Sequence, residues 1–308
     1  MKTLSLPISS PPASAPVPTQ QRAIAHRTRG TGTGPITRLM SPSDLGQVLK
    51  PFVFLDIFDA QGPIIHTMSG MPLHPHSGIA TVTVFTQGSM HYHDQTSGRG
   101  TIGYGGVEWM RAGIGVWHGK EMTPPADASC IQGFQLWLAL PAALELGEPQ
   151  SHYIEAQHMA KVGPAHVVIG HYEGAQSPVD APDGINYLLV TLMPGERWTY
   201  HPPAGHLVGW LAVASGTLDA GVLLQRGDMV VFAEDGAPIV LEARGATNAV
   251  FVLGSSVPHP HALHLGYYSV HTNAHALDVG EERIRELGKK MQAAGDRTTA
   301  SGTIPVFK

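Results

Sequence analysis

The segment His74-Pro75-His76 and the later residue His118 carry side chains that could together bind a metal ion. Side chains alternate along an extended strand, so two histidines at i and i+2 point to the same face. Pro75 stiffens the segment and points away from the pair. A third imidazole from another strand completes a set that suits iron, copper, nickel or zinc. The spacing therefore predicts a mononuclear metal site built on β-strands.

The composition favours a β-rich fold around these histidines. The chain has 308 residues, of which 43% are hydrophobic and only 14% are charged, with 36 glycines and 25 prolines. Few strong helix formers and many turn residues favour short strands joined by tight turns. A chain of this length corresponds to two domains or to one large all-β unit.

Net charge and cysteine content argue against several functional classes. The net charge of −5 at pH 7 leaves no basic footprint for direct contact with nucleic acid. Cys130 is the single cysteine, which rules out an intrachain disulfide and a thiolate zinc site. No apolar run approaches the ~18 residues of a membrane span, and the N-terminus lacks the apolar core of a secretory signal. We therefore expect a cytoplasmic protein without a membrane partner.

The strand pattern occurs twice along the chain. Alternation over residues 80–86 opens a series of short strands with glycine corners, and a second series of similar character begins near Ile185. We predict a disordered or extended N-terminal tail over residues 1–34, a first barrel with the metal site over 35–150, and a second over 151–308 without a metal. The last part also carries a strand and a helix, predicted over residues 281–291 with Asp278 as its cap.

Two motifs resemble those of the pirin family. The segment 74–78, His-Pro-His-Ser-Gly, is similar to the family's His-Pro-His-x-Gly, and the segment 108–118 is similar to its x-Trp-Met-x-Ala-Gly-x-Gly-x-x-His. Further agreement lies at 134–137 and at 266–273, so the likeness covers roughly residues 35–295. The resemblance implies an all-β chain with two tandem antiparallel cupin (jelly-roll) β-barrels.

The resemblance also implies the ligands and the metal. The family's histidine ligands correspond to His74, His76 and His118, and its metal is usually iron. We expect one divalent ion, Fe(II), with nickel, copper, manganese and zinc as alternatives. In the second barrel the candidates are His201 and His206, which form no His-x-His pair, so we expect no metal there.

This chain departs from the family pattern at its fourth ligand. The family has a glutamate two residues after the last histidine, whereas here that position is Lys120 and Glu121 comes one place later. Residues three apart face opposite sides of a regular strand, so Glu121 could ligate only through a bulge or turn, which Gly119 permits. We expect either three histidines with water or a distorted set that includes Glu121, which could also be the catalytic base.

Several other residues are expected near the site or are rivals to it. We predict that the pocket is lined by Ile79, Ala80, His91, His93 and Trp117. A second cluster of histidines is interpreted as a solvated loop and comprises His259, His261 and His264.

Two functions are compatible with these features. Some pirins resemble quercetin 2,3-dioxygenases, which use a metal and O₂ to cleave flavonols and release carbon monoxide. We therefore expect a dioxygenase that acts on small flavonol-type aromatic substrates. The alternative is a non-catalytic regulatory protein that senses metal or redox state and binds a protein partner.

Overall fold

A computed structural model describes residues 21–65, 73–94, 96–119 and 121–293. Strands dominate it, as the composition predicts. Two α-helices are described, α1 (Leu45–Leu49) and α2 (Ala274–Ala293), with short 3₁₀ turns at Gly62–Ile64 and Ala156–His158. No helix in this part of the chain has the length and hydrophobicity needed to cross a membrane.

The strands fall into two series along the chain. The first series comprises β1 (Ile24–Thr28), β2 (Thr31–Thr33), β3 (Ile36–Met40), β4 (Phe52–Gln61), β5 (His74–His76), β6 (Ile79–Gln87), β7 (Ser89–Asp94), β8 (Gly98–Gly103), β9 (Val107–Arg111), β10 (Val116–His118), β11 (Met122–Thr123), β12 (Cys130–Ala139) and β13 (Gln150–Ile154). The second comprises β14 (Lys161–Val162), β15 (Ala165–Ile169), β16 (His171–Tyr172), β17 (Ala175–Gln176), β18 (Ile185–Leu192), β19 (Arg197–Tyr200), β20 (Val208–Ser215), β21 (Thr217–Asp219), β22 (Leu223–Gln225), β23 (Met229–Phe232), β24 (Ile239–Arg244), β25 (Ala249–Ser256), β26 (His264–Leu265) and β27 (Val270–His271).

Each series forms most of one seven-stranded antiparallel sheet, and β1 of the first series joins the sheet of the second. The first large sheet has the order β13-β9-β6-β12-β4-β3-β2, and the second has the order β1-β23-β20-β25-β18-β15-β14. Smaller sheets accompany them: β5 with β10, and β11-β7-β8, in the first unit, and β19-β24-β21-β22 in the second. The arrangement confirms the predicted all-β class with two tandem units.

The two large sheets share one core because each turns an apolar face toward the other. In β12, Phe134 and Leu136 join a cluster that also contains Trp210 and Ala212 of β20. Phe52 meets the Trp210 ring edge-on, with ring centroids 5.3 Å apart. The alternate residues of the second sheet pack instead against its own small sheet. Period-2 alternation thus supplies a central core and a separate interior for each unit.

The N-terminal segment is more integrated than the predicted tail. Strand β1 pairs with β23 at the edge of the second large sheet, and β2 pairs with β3 of the first. Arg27 and Arg29 both reach the buried carboxylate of Asp228. These ion pairs fix residues 24–29 to the second unit. The predicted disorder of residues 1–20 lies outside the described residues.

The C-terminal helix begins earlier than the sequence predicts. The side chain of Asn273 accepts a hydrogen bond from the Ala276 amide at 2.9 Å, so Asn273, not Asp278, caps the helix. The buried face includes Gly280, Ile284 and Gly288. A Cβ on Gly280 would lie 2.5 Å from the His271 Nε2 atom and 2.6 Å from the Ser77 Oγ atom. Glycine has poor helix propensity, but at position 280 it lets helix α2 pack closely against His271 and Ser77.

Candidate metal centre

Two short paired strands bring the three predicted histidines together. In the antiparallel pair β5–β10, His118 lies opposite His74, and Val116 lies opposite His76. One ligand atom from each histidine lies within 4.8 Å of the others, and this is the one such cluster that the described residues contain. Ring centroids are 4.5 Å apart for His74–His118, 4.9 Å for His74–His76 and 5.1 Å for His76–His118.

The nitrogen atoms of this cluster are prepared for a ligand. The His76 Nδ1 atom lies 3.3 Å from the backbone carbonyl oxygen of Tyr268. A carbonyl can only accept, so Nδ1 carries the proton and Nε2 keeps its lone pair. The Nε2 atoms of His76 and His118 are buried, and neither has a hydrogen-bond partner among the described residues. Buried polar atoms are seldom left in this state unless a ligand satisfies them.

Burial keeps the imidazoles of His76 and His118 neutral. The pKa of His76 is well below its ordinary value because the ring is buried and because His74 and His118 are close. The pKa of His118 is lowered for the same reasons, burial first and then His74. Neutral imidazole is the form that binds a transition metal. The residues present therefore fit a divalent first-row metal.

A buried network supports the strand that carries His74 and His76. The imidazole of His271 lies 3.0 Å from the Ser77 hydroxyl through Nε2 and 3.0 Å from the Glu145 carboxylate through Nδ1. Gly78 adopts a φ of +72°, and a Cβ there would lie 2.1 Å from the Val270 carbonyl oxygen. The glycine of the His-Pro-His-x-Gly motif thus lets the C-terminal segment approach the site closely.

Glu121 lies next to the histidines but outside their cluster. Its Oε2 atom accepts a hydrogen bond from the Gly119 amide at 2.8 Å, so the carboxylate caps the turn after β10. Gly119 has a φ of +135°, the region that favours glycine, as the predicted bulge or turn requires. Of the two expected ligand sets, this geometry favours the one with three histidines. Lys120 lies outside the described residues.

A cavity of about 110 Å³ opens beside the histidines. His74, His118 and Glu121 form part of its wall. The rest comes largely from the inner face of the first large sheet, and the whole lining is Ile36, Asp56, Phe58, His74, Thr83, Phe85, Met90, Glu108, His118, Gly119, Glu121, Met122, Gln135 and Tyr153. Half of the lining residues thus carry polar or charged side chains, and most of the others are apolar.

The polar residues that the first large sheet contributes to this cavity form a single cross-strand row. Gln135 of β12 lies opposite Asp56 on one side and opposite Thr83 on the other. Thr83 in turn lies opposite Glu108, which lies opposite Tyr153. This row is not among the residues predicted from the sequence. Its signal is a polar residue between apolar neighbours in a buried strand, as with Glu108 between Val107 and Trp109.

The two buried carboxyl groups in the row have different partners. Asp56 forms a two-pronged ion pair with Arg38, and burial raises its pKa while Arg38 opposes the rise. Glu108 is 2% exposed and accepts a hydrogen bond from the Thr83 hydroxyl at 2.6 Å. Burial raises the pKa of Glu108 from 4.5 to about 7; the Thr83 hydrogen bond opposes this and nearby Glu121 adds to it.

None of the five predicted pocket residues lines this cavity. Ile79 and Ala80 are fully buried in hydrophobic clusters. His91 and His93 are exposed, because their positions on β7 alternate with the buried Met90 and Tyr92. The Trp117 indole donates to the carbonyl of Ile284 at 2.8 Å, so it packs against helix α2. Strand parity explains four of these positions, because those side chains leave their strands on faces that do not line the cavity. Ile79 shares its face of β6 with Thr83 and Phe85 but lies farther along the strand, in a separate hydrophobic cluster.

The other histidines do not join the metal cluster. In the second unit, the His206 Nδ1 atom lies 2.8 Å from the Ser255 hydroxyl, and His201 is exposed. His259 and His261 stand 5.6 Å apart by ring centroids, in a segment without regular structure. His264 belongs to the short strand β26.

Comparisons with known proteins agree with this fold. The family model described as Pirin matches residues 35–138. A pirin-like protein of Caulobacter vibrioides is 36% identical over 63% of this chain and 75% of its own length. A Pseudomonas aeruginosa protein, provisionally assigned as a quercetin 2,3-dioxygenase, is 28% identical over 73% of this chain and 82% of its own length. The crystal structure of a quercetin 2,3-dioxygenase from Acinetobacter baumannii superposes with a TM-score of 0.73 at 22% identity and covers 88% of this chain and 98% of its own.

The fold is that of two tandem cupin-type units, and the histidine cluster adds a candidate metal centre. The sequence relatives narrow the class further: the chain belongs to the pirin family.

Proposed function

We propose that this protein is a metal-dependent dioxygenase for small flavonol-type aromatic substrates, with O₂ as the second substrate. The observation that carries the proposal is the pair of buried Nε2 atoms of His76 and His118, which have no hydrogen-bond partner among the described residues and lie with His74 at the edge of a cavity. The provisional assignment of the Pseudomonas aeruginosa relative supports the choice of substrate class.

In this proposal His74, His76 and His118 hold one divalent metal, with Fe(II) expected and nickel, copper, manganese and zinc as alternatives. When bound, such a metal supplies Lewis acidity and a template for an oxygen-bearing substrate. The Tyr268 carbonyl fixes the tautomer and orientation of His76. The apolar walls, which include Phe58, Phe85 and Met90, would contact the flat faces of an aromatic ligand and exclude water.

Metal analysis combined with a flavonol assay tests the proposal. Protein loaded anaerobically with Fe(II), and in parallel with the alternative ions, should hold about one metal per chain, and in air it should remove the visible absorption band of quercetin. The variants H76A and H118A should lose both metal and activity. H91A provides the matched control, since His91 is exposed and lies outside the cluster.

Two results would contradict the proposal. Unchanged metal content in H76A and H118A would refute the ligand assignment. If the protein holds stoichiometric metal but turns over no flavonol with any one of the five ions, the dioxygenase proposal is refuted and the regulatory alternative is favoured.

A further inference from the structure

The cavity contains an ionisable group that the metal ligands do not account for. Glu108 is buried, lines the same cavity as His74 and His118, and has no cationic partner among the described residues. The charges that act on it are those of Glu121 and Asp94, both anionic. Asp56, at the far end of the row from Glu108, has Arg38 as a cationic partner. One buried carboxyl group is thus neutralised by an ion pair, while the other is free to gain or lose a proton.

A contribution to folding stability does not explain a glutamate at position 108. A buried carboxyl group without a cation costs free energy, and a buried glutamate that serves only the fold is normally paired. Thr83 provides one hydroxyl hydrogen bond, which stabilises the carboxylate only in part. A carboxyl group whose pKa lies near the working pH is, by contrast, well suited to general base catalysis.

We propose that Glu108 is the proton acceptor of the reaction, taking the proton from the 3-hydroxyl group of the bound flavonol, and that Thr83 positions its carboxylate. This inference rests on the proposed dioxygenase function. In this step the O–H bond of the substrate breaks, its electron pair stays on the substrate oxygen, and the proton forms a new O–H bond with Glu108. O₂ converts the flavonol into a carboxylic acid and carbon monoxide, so the proton leaves with the acid product and Glu108 is regenerated.

The assignment also explains how the site works without the family's fourth ligand. A carboxylate ligand in the cupin superfamily can double as a base, but here the Glu121 carboxylate caps the Gly119 amide. Glu108 lies on a different strand and belongs to the rigid first large sheet. The two roles, metal ligation and proton transfer, are then separated between the histidine strands and the sheet.

The test is an anaerobic titration of metal-loaded protein with quercetin, read by absorption, because the flavonolate anion absorbs at longer wavelength than the neutral flavonol. Wild-type protein should bind quercetin as the anion at pH 7. E108Q should keep its metal and bind quercetin in the neutral form. In air, kcat/KM of E108Q at pH 7 should fall by roughly 10²-fold or more, and the rise of kcat/KM with pH near 7 should disappear.

Variants of Thr83 give a second readout. T83V removes the hydroxyl donor, which should raise the pKa of Glu108 further and move the rising limb of the pH profile to higher pH. T83S retains the donor and should restore the wild-type profile. A merely structural role for Thr83 would leave the midpoint of this limb unchanged.

The outcomes separate this inference from the function on which it rests. Metal-loaded wild-type protein that neither binds nor consumes flavonols overturns both. Active wild-type protein with an E108Q variant that still binds the anion and keeps its pH profile overturns only the role of Glu108. Loss of the anion spectrum in E121Q but not in E108Q would transfer the role to Glu121, and it too would overturn the proposal.

Discussion

The backbone carbonyl of Tyr268 accepts a hydrogen bond from His76 Nδ1 at 3.3 Å, although the two residues are far apart in the sequence. Tyr268 has a φ of +56°, a left-handed conformation that is uncommon outside glycine. The segment that follows the second large sheet therefore returns to the first unit and orients a candidate ligand. Backbone strain at Tyr268 is consistent with a functional constraint on this carbonyl.

We expect metal affinity to depend on the backbone conformation of residue 268. Y268V and Y268N both remove the aromatic ring, but only the β-branched valine opposes a positive φ. The valine variant should bind metal about tenfold more weakly than the asparagine variant. A loss of this size is usual when a group that orients a metal ligand is disturbed. Metal titrations of the two variants measure the ratio. Equal affinities would show that the carbonyl does not position His76.

The histidine cluster could be predicted from sequence because its information is local. An alternating strand places His74 and His76 on one face, and the family motif supplies His118. The fold class was equally accessible, since alternation and glycine corners recur in both halves. The alternation depends on neighbours in the chain, which a single sequence displays directly, whereas His118 follows from the resemblance to the family.

The cavity could not be predicted in the same way because it depends on register between distant strands. Glu108 and Thr83 become neighbours only when β9 pairs with β6, and Gln135 joins them through β12. Ile79 and Ala80 show the opposite case, in which residues close to the motif in sequence do not line the cavity. Proximity to the motif in sequence suggested a place in the pocket, but their side chains pack into the hydrophobic clusters.

Glu121 should prove dispensable for metal binding. The E121Q variant keeps an oxygen that can accept from the Gly119 amide, so the turn should survive, with a loss of about 1 kcal/mol in the free energy of unfolding. Its metal content should equal that of wild-type protein, with affinity within about threefold. Elemental analysis and a competitive chelator titration provide the measurements. A loss of affinity on the order of a hundredfold would instead identify a carboxylate ligand.

Gly280 should show a reversed helix-propensity effect. Replacing an interior helix glycine with alanine normally stabilises a protein by about 1 kcal/mol. Here the new Cβ would meet the His271 ring and the Ser77 hydroxyl, so we expect G280A to destabilise the protein by about 1–3 kcal/mol. Metal affinity should fall as well, because Ser77 adjoins His76. Urea unfolding of metal-free protein and a metal titration test the two effects.

G236A is the matched control for this substitution, since Gly236 has no atom near its would-be Cβ. It should change the free energy of unfolding by no more than about 0.5 kcal/mol. If G280A stabilises the protein, the inference that helix α2 packs closely against Ser77 and His271 is wrong.

Glu108 should make the stability of the metal-free protein depend on pH. Its pKa is raised from 4.5 to about 7 in the folded state, so between these values the folded protein retains a proton that the unfolded chain releases. Stability is therefore lost as pH rises through this window, by about 3 kcal/mol in total. The glutamine in E108Q has no proton that titrates in this range. The variant's free energy of unfolding should exceed that of wild-type protein by an amount that grows between pH 4.5 and 7 and is constant above that.

Urea unfolding of both proteins at pH 5 and pH 8, with a chelator present, measures the difference. A difference that is the same at the two pH values would mean that Glu108 ionises normally, and it would remove one support for its role as the base.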